Sequence, residues 1–198
     1  MPSSSSGFEC KVSVNESVLR LVLDQPDGDQ PLSLVGSIDQ GTSSSRFLLV
    51  ASDGSLLSTA QVEFNQIFPD SSPYSDSCVG WHEHDPFDIY DSVATCIART
   101  VEELASLGLD LSHGSERADV VKTVGITNQR ETTVAWNART GRVYYNAIVW
   151  DDTRTASTAE VIIRENSTGG QEVEGIDLLR AKTGLPIASY FAGTKVRW

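Results

Sequence analysis

Cysteine is scarce in this chain: Cys10, Cys78 and Cys96 are the only three in 198 residues, and no two form a C-x-x-C pair. That excludes a disulfide scaffold and leads us to expect reduced thiols in a cytosolic protein. Long apolar runs are missing too, the longest uncharged pieces being strand-sized and well short of a bilayer-spanning helix. Basic residues number 15 against 27 acidic ones, and a formal net charge of -12 with no local basic patch argues against nucleic acid or anionic lipid as a partner. No internal repeat is visible. The Ser-rich start, Met1 to Gly7, has no arginine and is followed by acidic residues, unlike a mitochondrial presequence, and reads as a flexible tail. What is present, 39% hydrophobic and 21% charged residues, is ordinary globular composition with enough apolar mass to bury one core.

The richest stretch runs from Ile38 to Arg46, I-D-Q-G-T-S-S-S-R. Apolar residues on either side predict strands near 32–39 and 46–51, so the segment between them reverses the chain as a hairpin. Gly41 lets backbone amides approach an anion, while the hydroxyls of Thr42, Ser43, Ser44 and Ser45 add neutral donors. Asp39 offers a hard oxygen for magnesium or its water shell, and Arg46 can offset phosphate charge. No lysine follows the glycine and a strand follows the turn, which excludes the G-x-x-x-x-G-K-[ST] loop. Asp, Gly and Ser are also what any tight turn contains, so spacing alone favours an ordinary hairpin.

Further along, a strand near 56–64 completes an antiparallel meander, and a long loop follows from Asn65 to His84. Cys78, His82 and His84 supply three zinc-type ligands, but a fourth at suitable spacing is missing and His113 is remote, so a polar loop is expected instead. Asp85 and Pro86 start a helix whose apolar face is read as Tyr90, Val93, Ile97, Val101 and Leu104, ending near Gly108. Val120 to Ile126 reads as a buried strand, 132–136 and 147–150 as further strands, and 153–166 as a helix, which gives an α/β layout. Before the hairpin, Val12 to Leu23 reads as an additional strand, broken by Pro26, Asp27, Gly28 and Asp29.

Two more constellations carry chemistry. T-N-Q-R-E-T-T places Arg130 and Glu131 at a strand end, and adjacent donor and acceptor suit a polyol, whose hydroxyls need both; a solvated ion pair fits the same pattern. Trp150, in V-W-D-D-T-R-T, and Tyr190, in S-Y-F-A-G-T-K, offer rings able to cover the carbon face of such a substrate.

Taken in order, S-I-D-Q-G-T-S-S-S-R, G-W-H-E-H-D-P, G-I-T-N-Q-R-E-T-T, Y-N-A-I-V-W-D-D-T-R-T and Y-F-A-G-T-K-V-R-W closely resemble the amino-terminal part of the glycerol kinases, a branch of the FGGY carbohydrate-kinase family. The resemblance spans about residues 32 to 198 and implies a ribonuclease H-like, actin-like ATPase fold, the first of two family domains, incomplete at its carboxyl end. Residues 1–31 are then an amino-terminal extension, partly disordered. The implied activity is transfer of the γ-phosphoryl of ATP to glycerol, with Mg²⁺, giving sn-glycerol 3-phosphate and ADP in cytoplasmic glycerol catabolism; a homo-oligomer is implied for the complete form. Carried over by position, Arg130, Glu131 and Tyr190 hydrogen-bond glycerol and Trp150 walls its pocket. Gly41, Thr42, Ser43 and Ser44 meet the nucleotide phosphates, Arg46 lies beside ADP, and Asp39 faces the metal. The general base and the adenine site are expected beyond Trp198, so no catalytic base is assigned within the chain. Asp151 stands where the family usually has Gln, and the loop from Pro69 to Cys78 is longer than in typical bacterial members. The alternatives are a non-catalytic polyol- or phosphate-binding module, a truncated product without independent function, or another FGGY sugar kinase.

Overall fold

The computed structural model describes residues 7–24, 33–70, 72–73, 77–167 and 172–198. Along the chain run β1 (Cys10–Val14), α1 (Glu16–Leu23), β2 (Leu34–Gln40), β3 (Ser44–Ala51), β4 (Leu56–Glu63), β5 (Glu83–His84), α2 (Pro86–Ser106), β6 (Val121–Asn128), β7 (Ala147–Ile148), α3 (Ala156–Glu165), α4 (Glu172–Thr183) and α5 (Ala192–Arg197). They divide into two compact units, one of residues 1–65 and 87–129, the other of 66–86 and 130–198.

The first unit is a five-stranded sheet in the order β1-β4-β3-β2-β6, antiparallel except where β6 runs parallel to β2. The expected meander is there as β2, β3 and β4. The segment read as one strand over 12–23 is instead a strand and a helix. Asn15 explains the break: its side chain accepts from the amides of Ser17 (3.1 Å) and Val18 (3.3 Å), a capping contact that starts α1. Val18, Leu19 and Val22 then recur at helical spacing and sink into the core with Leu34, Leu49, Leu57, Leu104 and Leu109. Residues 10–23 are therefore part of the first unit's core, whereas the turn expected at 26–29 lies outside the described residues.

Helix α2 begins at Pro86 and ends just before Gly108, as its sequence predicts, but it is rotated from the expected face. The buried stripe is Ser92, Cys96, Thr100 and Leu104, and Tyr90 is exposed. Small side chains let the helix approach the sheet closely, and their polar atoms find partners on the way. Ser92 Oγ lies 2.8 Å from Ser45 Oγ, Cys96 Sγ donates to Ser45 O (3.3 Å), and Thr100 Oγ1 donates to Cys96 O (2.9 Å). Burial pushes the Cys96 thiol up to about 12, so it is an inert packing group at neutral pH.

Strand β6 also departs from expectation. It pairs with β2 over its full length yet lies at the sheet edge, with Val124 46% and Ile126 74% exposed rather than buried. An apolar run distinguishes strand from loop, but it cannot report whether a neighbouring layer covers that strand.

The second unit is built on the short pair β5–β7, in register Glu83↔Ile148 and His84↔Ala147, extended by single bridges Ile67↔Glu83 and Thr133↔Ile148. The strands expected over 132–136 and 147–150 shrink to these contacts. Helix α3 packs with α4 and α5, the latter two occupying segments that the sequence reading left without elements.

A buried charge cluster holds this small unit together. The Arg154 guanidinium donates to Asp152 through Nε (2.9 Å) and Nη2 (2.8 Å), and to Glu83 Oε1 through Nη2 (2.8 Å). Tyr145 and Asn146 satisfy the rest of Glu83 at 2.7 and 2.8 Å, and the Trp81 ring lies under the guanidinium with its centroid 3.9 Å away. Gly80 is required beside this cluster: its φ is +80°, and a Cβ there would fall 2.1 Å from Thr153 Oγ1.

Candidate functional site

In the first unit the β2–β3 hairpin is tighter than the sequence suggests. Gly41 N donates to Ser44 O (2.9 Å), so the turn comprises Gly41, Thr42 and Ser43, and a Cβ on Gly41 would press to 3.1 Å from that same carbonyl. Ser43 is exposed, Thr42 and Ser44 are half-buried, and Ser45 is turned into the core against Ser92, which removes it from the candidate anion donors. Asp39 and Arg46 face each other in register across the hairpin, Arg46 Nη1 lying 3.6 Å from Asp39 Oδ2 with both side chains nearly half exposed. Arg46 Nε also donates to Gln61 Oε1 (3.2 Å).

Two glutamines that sequence reasoning passed over support this turn. Gln40, 7% exposed, donates from Nε2 to Gly41 O (2.6 Å) and accepts at its own carbonyl from Gln129 N (2.7 Å). Gln129 Nε2 reaches Gly41 O at 3.3 Å. The Gly41 carbonyl is thus gripped from two sides, which fixes the peptide plane and aims the backbone away from that face. The signal available in the sequence was the glutamine inside each motif, D-Q-G-T and N-Q-R-E.

In the second unit the structure brings three of the four expected polyol residues together. The Trp150 and Tyr190 rings meet edge to face with centroids 5.9 Å apart. Trp150 N donates to Oγ1 of Thr132, the residue directly after Glu131, at 3.2 Å. Glu131 has the only positive φ (63°) of any non-glycine among the described residues, and its Oε2 accepts from Ala192 N (2.7 Å), two residues past Tyr190. Arg130 and Glu131 do not form the ion pair that their adjacency allows: Glu131, at positive φ, turns its carboxylate to Ala192 N at the start of α5, while Arg130 is exposed. A cavity of about 410 Å³ lies beside Glu131, walled by Ile162, Pro186, Ile187 and Phe191.

The histidines of the G-W-H-E-H-D-P segment are committed elsewhere. His82 Nδ1 lies 2.7 Å from Asp151 Oδ1, and the Nε2 atoms of His82 and His84 approach Gln66 Oε1 at 3.0 and 2.8 Å. Asp151, in place of the expected glutamine, is thus a hydrogen-bond partner of His82. Burial, then the neighbouring His82, holds the His84 imidazole down to about 4 against the opposing pull of Asp151. The folded state keeps His84 neutral where the unfolded chain, near 6.5, takes a proton. Stability contributed by this site is therefore full above about pH 6.5 and is lost as pH falls toward 4, by roughly 3 kcal/mol. Urea unfolding of wild type and His84→Gln at pH 7 and pH 4.5 should show a smaller acid loss in the variant; equal losses would contradict this.

The sequence profile of the FGGY family of carbohydrate kinases, N-terminal domain, matches residues 34–198. The chain belongs to the FGGY family of carbohydrate kinases. Among its FGGY relatives, a "Probable glycerol kinase" of Caenorhabditis elegans is 45% identical over 166 residues, covering 83% of this chain and 29% of that protein. Glycerol kinase 3 of Streptomyces avermitilis is 43% identical over 164 residues, covering 83% of this chain and 27% of that one. In structure, the chain is similar to Plasmodium falciparum glycerol kinase with ADP, at a TM-score of 0.64 and 28% identity, over 84% of this chain and 28% of the other. The chain thus spans less than three tenths of the length of the curated relatives it matches. The mixed sheet of the first unit is the actin-like ATPase arrangement of FGGY kinases. The match begins at β2, so β1 and α1 precede the family domain while packing into its core. Among the described residues no helix is long and apolar enough to cross a membrane.

Proposed function

We propose that this chain is the glycerol- and phosphate-binding portion of a glycerol kinase, which transfers the γ-phosphoryl of ATP to a terminal hydroxyl of glycerol. The observation that carries the reading is the meeting of Trp150, Tyr190 and Glu131 in one unit, with ring surface for carbon and a carboxylate for hydroxyls. Similarity to glycerol kinases at 43–45% identity supports it. Arg130 donates to the substrate from the exposed side of the same segment. In the hairpin, Thr42, Ser43 and Ser44 take phosphate oxygens at Gly41, and Arg46 offsets nucleotide charge.

Magnesium fits Asp39. Among the described residues no group of three or more His, Cys, Asp or Glu gathers as a metal cage, and the half-exposed Asp39 carboxylate, which faces Arg46 across the hairpin, suits an ion that keeps its water and takes phosphate oxygens as further ligands. When bound, such an ion would spread the charge of the transferring group. The chain's own contribution is to orient glycerol and hold phosphate; no proton acceptor is assigned among residues 1–198.

Calorimetry of the purified chain with glycerol tests the binding half and should give a saturable isotherm. A coupled ADP-release assay tests the other half and should show no glycerol-dependent turnover. Turnover at roughly 1 to 100 per second would place a proton acceptor inside this chain and overturn that assignment. Failure to bind glycerol would favour a phosphate-binding module or a different polyol substrate.

A further inference from the structure

Lys195 is 3% exposed, in a protein class where lysine is almost never fully buried unless paired. Its Nζ donates to two backbone carbonyls, Ser189 O and Tyr190 O, both at 2.6 Å. Its neighbour Thr194 works on the same turn, donating from Oγ1 to Phe191 O (2.9 Å) and Ala188 O (3.2 Å), and meets Thr155 Oγ1 at 3.0 Å, in the segment that follows Trp150. Helix α5 therefore grips residues 188–191 and ties them to the segment that follows Trp150. Tyr190 itself remains 38% exposed, so ring packing alone does not fix it.

We propose that Lys195 is a positioning residue for the polyol cluster, its ammonium locking the Ser189–Tyr190 backbone so that the Tyr190 ring stands against Trp150. The consequence for glycerol rests on the proposed function above; the consequence for ring geometry does not. The electrostatics fit the role. Burial holds Lys195 below the ordinary lysine range, while the carboxylates of Asp152, Glu131 and Asp151 draw it back up and the Arg154 guanidinium opposes them. A cation there meets two carbonyl oxygens and lies in the field of three acidic side chains; a neutral side chain of similar length leaves both carbonyls without their donor.

The full chain, uniformly labelled with ¹³C and ¹⁵N, gives the test by NMR. Wild type should show magnetisation transfer between the Trp150 and Tyr190 rings. K195M should lose that transfer, K195R should keep it, and the Glu83 to Ile148 cross-strand contact should persist in both. Glycerol affinity should fall about tenfold or more in K195M, with K195R close to wild type. Retention of the ring contact in K195M overturns the proposal whatever glycerol does. Should wild type fail to bind glycerol, the functional reading falls while the ring contact still decides the role of Lys195. If K195M does not fold, wild type alone suffices: magnetisation transfer should connect the Lys195 ε-methylene with the backbone of Ser189 and Tyr190, and its absence overturns the proposal.

Discussion

Arg154→Met should destabilise the second unit by about 3–5 kcal/mol, a large fraction of the stability of an ordinary domain. The physical reason is what remains behind. Glu83 and Asp152 are 3% and 1% exposed, and each takes a 2.8 Å hydrogen bond from Arg154 Nη2. Removing the guanidinium leaves two carboxylates sharing a dry site with one another's charge. The cost should be recovered in large part by adding Glu83→Gln and Asp152→Asn, since neutral amides keep hydrogen-bonding atoms without the charge. Urea unfolding followed by Trp81 fluorescence reads both results. A single variant within 1 kcal/mol of wild type would show that the cluster is solvated in solution and carries little of the unit's stability.

The second large effect is expected on ligand rather than on fold. Arg130→Ala should weaken glycerol binding by about 10- to 100-fold, the loss of hydrogen bonds from a charged donor, and should leave binding of a nucleotide or inorganic phosphate within about twofold of wild type. Arg130 is exposed and has no hydrogen bond or ion pair to another described residue, so truncating it should not cost stability. Paired titrations with glycerol and with MgATP separate the two ligands. Equal loss of both would remove Arg130 from the polyol role and make it a general electrostatic contributor instead.

What could be read from the sequence, and what could not, follows from the range of each interaction. The β2–β3–β4 meander and α2 were legible because strand alternation, turn residues and the Asp85-Pro86 start are local signals. The face of α2 was not. Tyr90 and Val93 look apolar, but the sheet accepts the Ser92, Cys96, Thr100 stripe because small side chains permit close approach, and that depends on residues of β3 such as Ser45. Strand β6 was legible as a strand and illegible as an edge, for its cover is not written in its own residues. Helix α1 was hidden by its β-branched and leucine-rich run, although the Asn15 cap was present to be read.

The site shows the same division. Trp150, Tyr190 and Glu131 stand in motifs separated by up to about sixty residues, and the fold brings them into one unit. That Glu131 turns away from Arg130 and caps Ala192 could not be foreseen, because it depends on a single left-handed residue. Gln40, Gln129 and Lys195 were overlooked for a related reason: their contribution is made through backbone carbonyls, which no side-chain motif announces.

The central claim is that residues 130–131, 150 and 190 bind one polyol. Glycerol titrated into uniformly ¹⁵N-labelled chain tests it most directly. Saturable shifts are expected, confined to the amides of Arg130, Glu131, Tyr190 and Ala192 and to the Trp150 indole N–H, with a single midpoint. Shifts elsewhere in the chain, or none at glycerol concentrations that saturate the calorimetric signal, would contradict it.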